Sequence, residues 1–280
     1  IRDIRFVGGG CPGNAKLVER LIKNCSVLDV LPLLKDIDCR DNTSCPRQLS
    51  QALVRALNGD LSPKRSFRVA TRNRPVKRLG IIGAVNGDIS QLQRLLEQLE
   101  EQPLDAVLCM GNLTGAESLK PQFRRLFKKP DLLPVLGDRD WQHAIDPKNS
   151  ATDDKTGDWL LQQAQVQVMP AATGNIMAFY GQYLQALDGF SDYEPYALEI
   201  NMTAGLAQFM RDEEVFPALE AMTPQFRTDV ICFGQTGQWN HWTVADKLFI
   251  SVGDYAAANP LSWGLLEDTG SGFNFDVMTL

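Results

Sequence analysis

Three short, largely apolar runs set the strongest limit on the fold. Residues 79–84 (LGIIGA), 104–110 (LDAVLCM) and 132–136 (LLPVL) have the length and composition of strands covered on both faces. Between the first two, Ile89, Leu92, Leu95, Leu96 and Leu99 fall on one helical face; Phe123, Leu126 and Phe127 mark another helix before the third. Strand and helix alternating at crossover length predicts parallel β-α units. Beyond residue 166 the segments shorten, with strands expected at 176–180, 197–202, 230–234, 248–252 and 273–278 and a helix at 206–221. The expected fold class is α/β: a layered α/β/β/α domain over residues 79–280, preceded by a small α+β module.

Charge separates that module from the rest. Residues 1–78 hold 16 Lys+Arg against 7 Asp+Glu, and residues 79–280 hold 12 against 27, so a net charge of −6 conceals +9 and −15. The steepest stretch, 62–78, has seven basic residues, no acid and two prolines, and reads as part of a basic linker at 61–78. In residues 1–60, positions 4–6 suggest the end of a strand before Gly8, Gly9 and Gly10. Helical spacing then follows in Leu17, Val18, Leu21 and Ile22, in Val27, Val30, Leu31 and Leu34, and in Leu49, Leu53, Val54 and Leu57, with Thr43 and Ser44 as caps. A core this small relies on a metal or a covering surface.

At 44% hydrophobic, with scattered Gly and Pro, the chain is neither collagen-like nor disordered. It has no apolar run approaching the roughly 18–20 residues that cross a bilayer, so no membrane association is expected. No signal-like leader stands before Ile1, although a first residue other than Met leaves a removed targeting segment open. Six cysteines are too sparse for a disulfide framework, so a reducing, cytoplasmic compartment is expected.

Cys11, Cys39 and Cys45 fall at turns, with Cys25 available as a fourth ligand; together they form a candidate zinc site in the N-terminal module, without a CxxC pair. The competing reading is buried structural thiols. Cys109 and Cys232 lie within apolar strands and read as core. GGGCPGN at 8–14, the Ile37-x-Cys39 pair and TSCPRQL at 43–49 resemble the TSCPD domain, with Arg47 in place of its Asp. That resemblance covers residues 4 to about 58 and implies an accessory module with a cysteine-metal site.

Four later blocks carry a second resemblance. They are 81–88 (IIGAVNGD), 109–113 (CMGNL), 135–140 (VLGDRD) and 233–237 (FGQTG), followed by LFISVGD at 248–254. In order and spacing they resemble the calcineurin-like metallophosphoesterases over some 200 residues. Each block keeps its strand and glycines but not its ligands. Ala84 and Asn86 stand where the family has an Asp and a His on the first metal, and Asn112 stands where a carboxylate bridges two ions. Gln235 and Gly237 replace two imidazoles. Arg139 replaces the catalytic His, and a guanidinium that stays protonated cannot shuttle a proton. An Asn oxygen brings no negative charge to a pair of divalent ions.

Acidity remains at Asp138 and Asp140. Asp88, Asp138, Arg139, Asp140, Asp254, His143 and His241 are therefore the candidate ligand-binding residues, for a phosphate or carboxylate at Arg139 or for a relocated single metal. The leading expectation is a pseudoenzyme without a metal cofactor in the second domain, serving as a binding, regulatory or assembly subunit with a protein partner or a second copy. The alternatives are a phosphoesterase with relocated ligands, and nucleic-acid or acidic-partner binding through the basic N-terminal half, with Phe67 as its stacking aromatic. Against the last stands a connector neutralised by the acidic domain of its own chain.

Overall fold

The computed structural model describes residues 1–2, 12–37, 44–59, 67–114, 121–129, 131–145, 154–181, 184, 187, 194–208, 217, 219–221, 223–254 and 261–279. The chain forms two compact units, Ile1–Ser66 with Gln185–Asp188, and Phe67–Leu184 with Gly189–Leu280.

In the first unit the described residues form three helices, α1 (Pro12–Ile22), α2 (Val27–Leu34) and α3 (Cys45–Leu57). The strand expected at 4–6 lies outside the described residues. Ser44 caps α3: its hydroxyl oxygen accepts from the Arg47 N–H at 3.1 Å and its hydroxyl donates to the Ile37 carbonyl, while Pro46 occupies the first turn, where no helical N–H is needed. Ile22, Val30 and Leu34 form a small buried core, joined by Val18, Cys25, Leu49 and Leu53. Much apolar surface stays outside it; Leu28 and Leu33 of α2 are 69% and 71% exposed.

The second unit contains two mixed sheets. One has the order β1-β5-β6-β7-β9-β8, from β1 (Val69–Thr71), β5 (Val166–Pro170), β6 (Asn175–Phe179), β7 (Val230–Gly237), β8 (Asn240–Val244) and β9 (Lys247–Gly253). The other has the order β11-β10-β2-β3-β4, from β2 (Arg78–Ile82), β3 (Ala106–Met110), β4 (Leu132–Val135), β10 (Ser262–Asp268) and β11 (Phe273–Thr279). β2, β3 and β4 are parallel, as their alternation with helices predicts, and β10 and β11 extend the sheet antiparallel.

Side chains on alternate positions feed two cores. Leu79, Ile81, Leu108, Met110 and Val135 meet Ile176, Ala178, Val230, Cys232 and Ile250 between the sheets. On the outer face, Ile82, Cys109 and Leu132 pack against Leu92, Leu95, Leu96 and Leu99 of α4 (Ile89–Glu100). α5 (Pro121–Leu126), α6 (Asp138–Ile145) and α7 (Asp154–Gln162) follow, and α8 (Glu194–Gln208) packs on β7 of the other sheet. The architecture is layered α/β/β/α. The predicted burial of Cys109 and Cys232 agrees with both being fully enclosed.

Two expectations are corrected. Residues 197–202 are helical, part of α8, and not a strand; Leu198, Ile200 and Met202 alternate with Glu199 and Asn201, which mimics strand periodicity in a segment rich in helix formers. The helix expected at 206–221 meets helical residues at both ends, 206–208 at the end of α8 and 217 with 219–221, while residues 209–216 and 218 lie outside the described residues. Residues 67–78, read as the end of a linker, belong to the second unit: β1 pairs with β5, Arg72 bonds Asp131 at 2.9 Å, and Arg78 is ion-paired with Glu267. Those two arginines are thus neutralised by acids of the second unit; residues 61–66 lie outside the described residues.

Candidate functional site

The C-terminal ends of β2, β3 and β4 meet those of β6, β7 and β9 along one crest, joined across the sheets by side-chain hydrogen bonds. After β2 and β3 the chain turns through left-handed backbone at Asn86, Gly87, Gly111 and Asn112, with φ of 52°, 77°, 62° and 43°. Asn and Gly are the residues that adopt this conformation at least cost. The two turns are tied together by the Asn86 N–H donating to the Asn112 carbonyl at 2.8 Å and the Gly87 N–H to the Leu113 carbonyl at 3.1 Å. Gly137 passes so close to Asn112 that a side-chain carbon would strike its backbone nitrogen.

On this frame stand the residues that the sequence singled out, engaged mainly with one another. Arg139 Nη1 donates to Asn86 Oδ1 at 3.1 Å, and the Arg139 N–H donates to Asn112 Oδ1 at 3.1 Å. Asn112 Nδ2 in turn donates to the Tyr180 hydroxyl at 2.9 Å, and Gln235 Nε2 donates to Asp138 Oδ2 at 3.1 Å. Burial, reinforced by Asp140, pushes the Asp138 carboxyl up to about 6. Its Oδ1 is enclosed beside Gly181 without a hydrogen-bond partner. Burial also raises Asp254, opposed by Arg139. The Tyr180 phenol is raised well above its ordinary value by burial and then by Asp254, Asp138 and Asp140, with Arg139 drawing it down. Along the crest the Arg139 guanidinium thus opposes the desolvation of the Asp254 carboxyl and of the Tyr180 phenol.

Asp140 points elsewhere. It is fully buried and accepts from the N–H groups of Gly137 and Thr114 at 2.8 Å, from the Leu113 N–H at 2.9 Å, and from the Thr114 hydroxyl at 2.8 Å. Burial raises its pKa while these four bonds lower it. It fixes the β3 turn to the start of α6. His143 joins this knot, its Nδ1 lying 2.7 Å from the Thr114 hydroxyl oxygen.

Asp88 caps α4, accepting from the Gln91 N–H at 2.9 Å. His241 lies on β8 with its ring edge-on to Phe275 at 5.6 Å. Ala84 is buried behind the turn, and Gly237 supplies positive φ at the end of β7. Cys25 packs beside the small core of the first unit and Cys45 opens α3, whereas Cys11 and Cys39 lie outside the described residues.

Asn86, Asn112, Asp138, Arg139 and Gln235 are thus brought together, while Asp88 and His241 have other local partners. Sequence reading missed Tyr180 as a site residue. Its only signal was an aromatic at the end of a strand, with no motif around it. Thr114 was missed although it directly follows the 109–113 block, because a hydroxyl residue after a turn carries no signal of its buried partners Asp140 and His143.

The crest does not suit a pair of divalent cations. Its amide oxygens at Asn86 and Asn112 already accept from Arg139, Asp140 is consumed by backbone, and a fixed positive charge stands among them. Among the described residues, no three His, Cys, Asp or Glu side chains are placed to hold a metal.

No protein-family profile matches the chain, and no curated protein matches it. Solved structures do. The predicted phosphoesterase from Streptococcus pneumoniae TIGR4 is 13% identical, with 74% of this chain and 91% of that one covered and a TM-score of 0.40. The metallophosphoesterase from Sphaerobacter thermophilus is 13% identical over 72% of this chain and 88% of that one, with a TM-score of 0.47. Vps29 from Chaetomium thermophilum is 14% identical over 73% and 97%, with a TM-score of 0.40.

Proposed function

We propose that the second unit is a metallophosphoesterase-like fold that works without a metal centre, as a binding or assembly module of a larger complex. The reading is carried by one observation: the strand-end residues where such a fold would display cation ligands are instead closed on one another through Arg139. Two-metal hydrolysis needs carboxylates that bridge and neutralise two ions, and carboxamides tied to the guanidinium (Asn86) and the backbone N–H (Asn112) of Arg139 offer neither. Arg139 brings a permanent charge but no proton to exchange.

The first unit is read as a TSCPD-like accessory module, with Cys11, Cys25, Cys39 and Cys45 as its candidate zinc ligands. A reducing cytoplasmic setting would keep such cysteines available as metal ligands. No helix of the described residues is long and apolar enough to cross a membrane.

The test is elemental analysis of the purified full chain, paired with hydrolysis of p-nitrophenyl phosphate and bis-p-nitrophenyl phosphate in Mn²⁺, Ni²⁺ or Zn²⁺. The expected result is no hydrolysis above the protein-free rate and no more metal than the cysteines account for. Metal-dependent turnover that disappears in Arg139→Met or Asn86→Ala overturns the proposal. Asp140 is unsuited to this test, because its loss disturbs the loops whatever the chemistry.

A further inference from the structure

A helix docked on a sheet buries an apolar stripe. On α8, however, two of the three fully buried side chains among the described residues are polar: Glu199 and Thr203, with Ile200 as the third. Four residues apart, Glu199 and Thr203 share one face of the helix. Opposite Glu199 is the turn that leads into β7. Glu199 Oε1 accepts from the Arg227 N–H at 2.6 Å and from the Thr228 N–H at 3.0 Å.

Those two bonds occupy one oxygen of the carboxyl group. The other, Oε2, is buried without a hydrogen-bond partner, and so are the hydroxyl oxygens of Thr203 and Thr228. Burial raises the Glu199 pKa, and the N–H and hydroxyl of Thr228 oppose that rise, so this hydroxyl lies against the carboxyl. Three of the eight unpartnered buried side-chain atoms among the described residues therefore belong to one seam. Where protein supplies no partner to such atoms, ordered water or an ion does.

The charges in the seam do not balance either. Lys247 is the cation that acts on Glu199, and its Nζ is already paired with Asp229 Oδ1 at 3.0 Å. Arg227 is exposed. Two carboxylates against one ammonium leave one negative charge, and Glu199 is fully enclosed, where an uncompensated charge is costly. A proton on Oε2 would cancel that charge but donate to a single hydroxyl. A water would serve the hydroxyls and leave the charge. A monovalent cation answers both demands.

We infer that Glu199 Oε2, Thr203 Oγ1 and Thr228 Oγ1 hold a monovalent cation, Na⁺ or K⁺, that ties α8 to the turn before β7. All three donors are hard oxygens, and a single carboxylate matches a single charge, whereas divalent ions are held by more carboxylate or by several waters. The ion is structural, exchanges with the buffer and is lost on desalting. It sits at the N-terminal end of β7, the opposite end from the crest, and takes no part in the crest's chemistry.

Thermal unfolding of the full chain at about pH 8, in equal concentrations of choline chloride, NaCl or KCl, tests it. One or both alkali salts should raise Tm by about 3 °C or more over choline chloride. Glu199→Gln keeps the oxygen that accepts from Arg227 and Thr228 but removes the charge, and should abolish the difference. Thr203→Val, which keeps the shape, should at least halve it. Crystals soaked in thallium(I) acetate should give an anomalous peak beside Glu199 Oε2, a readout that needs no variant. Equal Tm in the three salts, which a proton or a water in the seam would give, overturns the inference. So does a salt difference that persists in Glu199→Gln, or thallium that does not bind beside Glu199.

Discussion

Arg139 reaches Asn86 across the crest, its Nη1 donating to Asn86 Oδ1 at 3.1 Å. Burial raises the pKa of both Asp254 and Tyr180, and the same guanidinium opposes that rise. Arg139 thus holds two turns together and partly offsets the Asp254 carboxyl.

Arg139→Met should keep the fold and cost about 1 kcal/mol, because exposure to solvent discounts the larger worth of a charged hydrogen bond. Loss of the positive charge should also move the Asp254 carboxyl further above its ordinary range. Urea unfolding measures the first effect and carboxyl NMR titration the second; an unchanged Asp254 titration would show that the guanidinium does not act on it.

Asp140 should behave as a structural residue. Asp140→Ala leaves the donors of Gly137, Leu113 and Thr114 buried without an acceptor, and a loss of about 3–5 kcal/mol is expected. Equilibrium unfolding checks this, together with faster amide exchange at residues 111–114 and 137. A variant as stable as the wild type would remove Asp140 from that role.

The Asp138 carboxyl, raised to about 6, gives a pH dependence with a definite sign. A carboxyl that holds its proton more tightly folded than unfolded stabilises the native state at low pH. That contribution fades as pH rises from about 4 to about 6, leaving the ionised group as a net cost above it. Asp138→Asn should therefore stabilise the protein at neutral pH by roughly 1 kcal/mol after allowance for solvent screening, and hardly at pH 4. Chemical denaturation of both proteins from pH 4 to pH 8 checks the sign; equal gains at both ends would mean that proton uptake at Asp138 is not the cause.

Parts of this arrangement are legible in the chain. The apolar runs ending in Gly83, Gly111 and Gly137 place their turns on one crest because a strand buried on both faces has a distinctive composition. Asp88, read from the sequence as a candidate ligand, is instead the cap of α4, a role signalled by Gln91 three residues on. The division of labour between Asp138 and Asp140 is not legible. Both are acids at the start of one helix, and only the path of the β3 turn decides that Asp140 is enclosed by N–H donors while Asp138 faces Gln235. β1 was hidden because three residues in a basic, proline-flanked stretch carry no periodicity; β5 supplies its pairing from almost a hundred residues away.

Tyr180 holds the two sheets' turns in register, and its environment predicts an asymmetry between two substitutions. Its ring is wedged between Gly111 and Gly234, where a side-chain carbon on either glycine would fall within the ring. Tyr180→Phe keeps the ring and removes only the acceptor for Asn112 Nδ2, so it should cost about 1 kcal/mol. Gly234→Ala displaces the ring, breaks the same hydrogen bond and opens the crest, and should cost about 3 kcal/mol. The clash requires the ring, so Gly234→Ala should be nearly harmless in a Tyr180→Ala background, giving a large favourable coupling in a double-mutant cycle. Additive costs in that cycle, measured by urea unfolding, would mean that Gly234 is required for the path of β7 itself and not for the close approach of Tyr180.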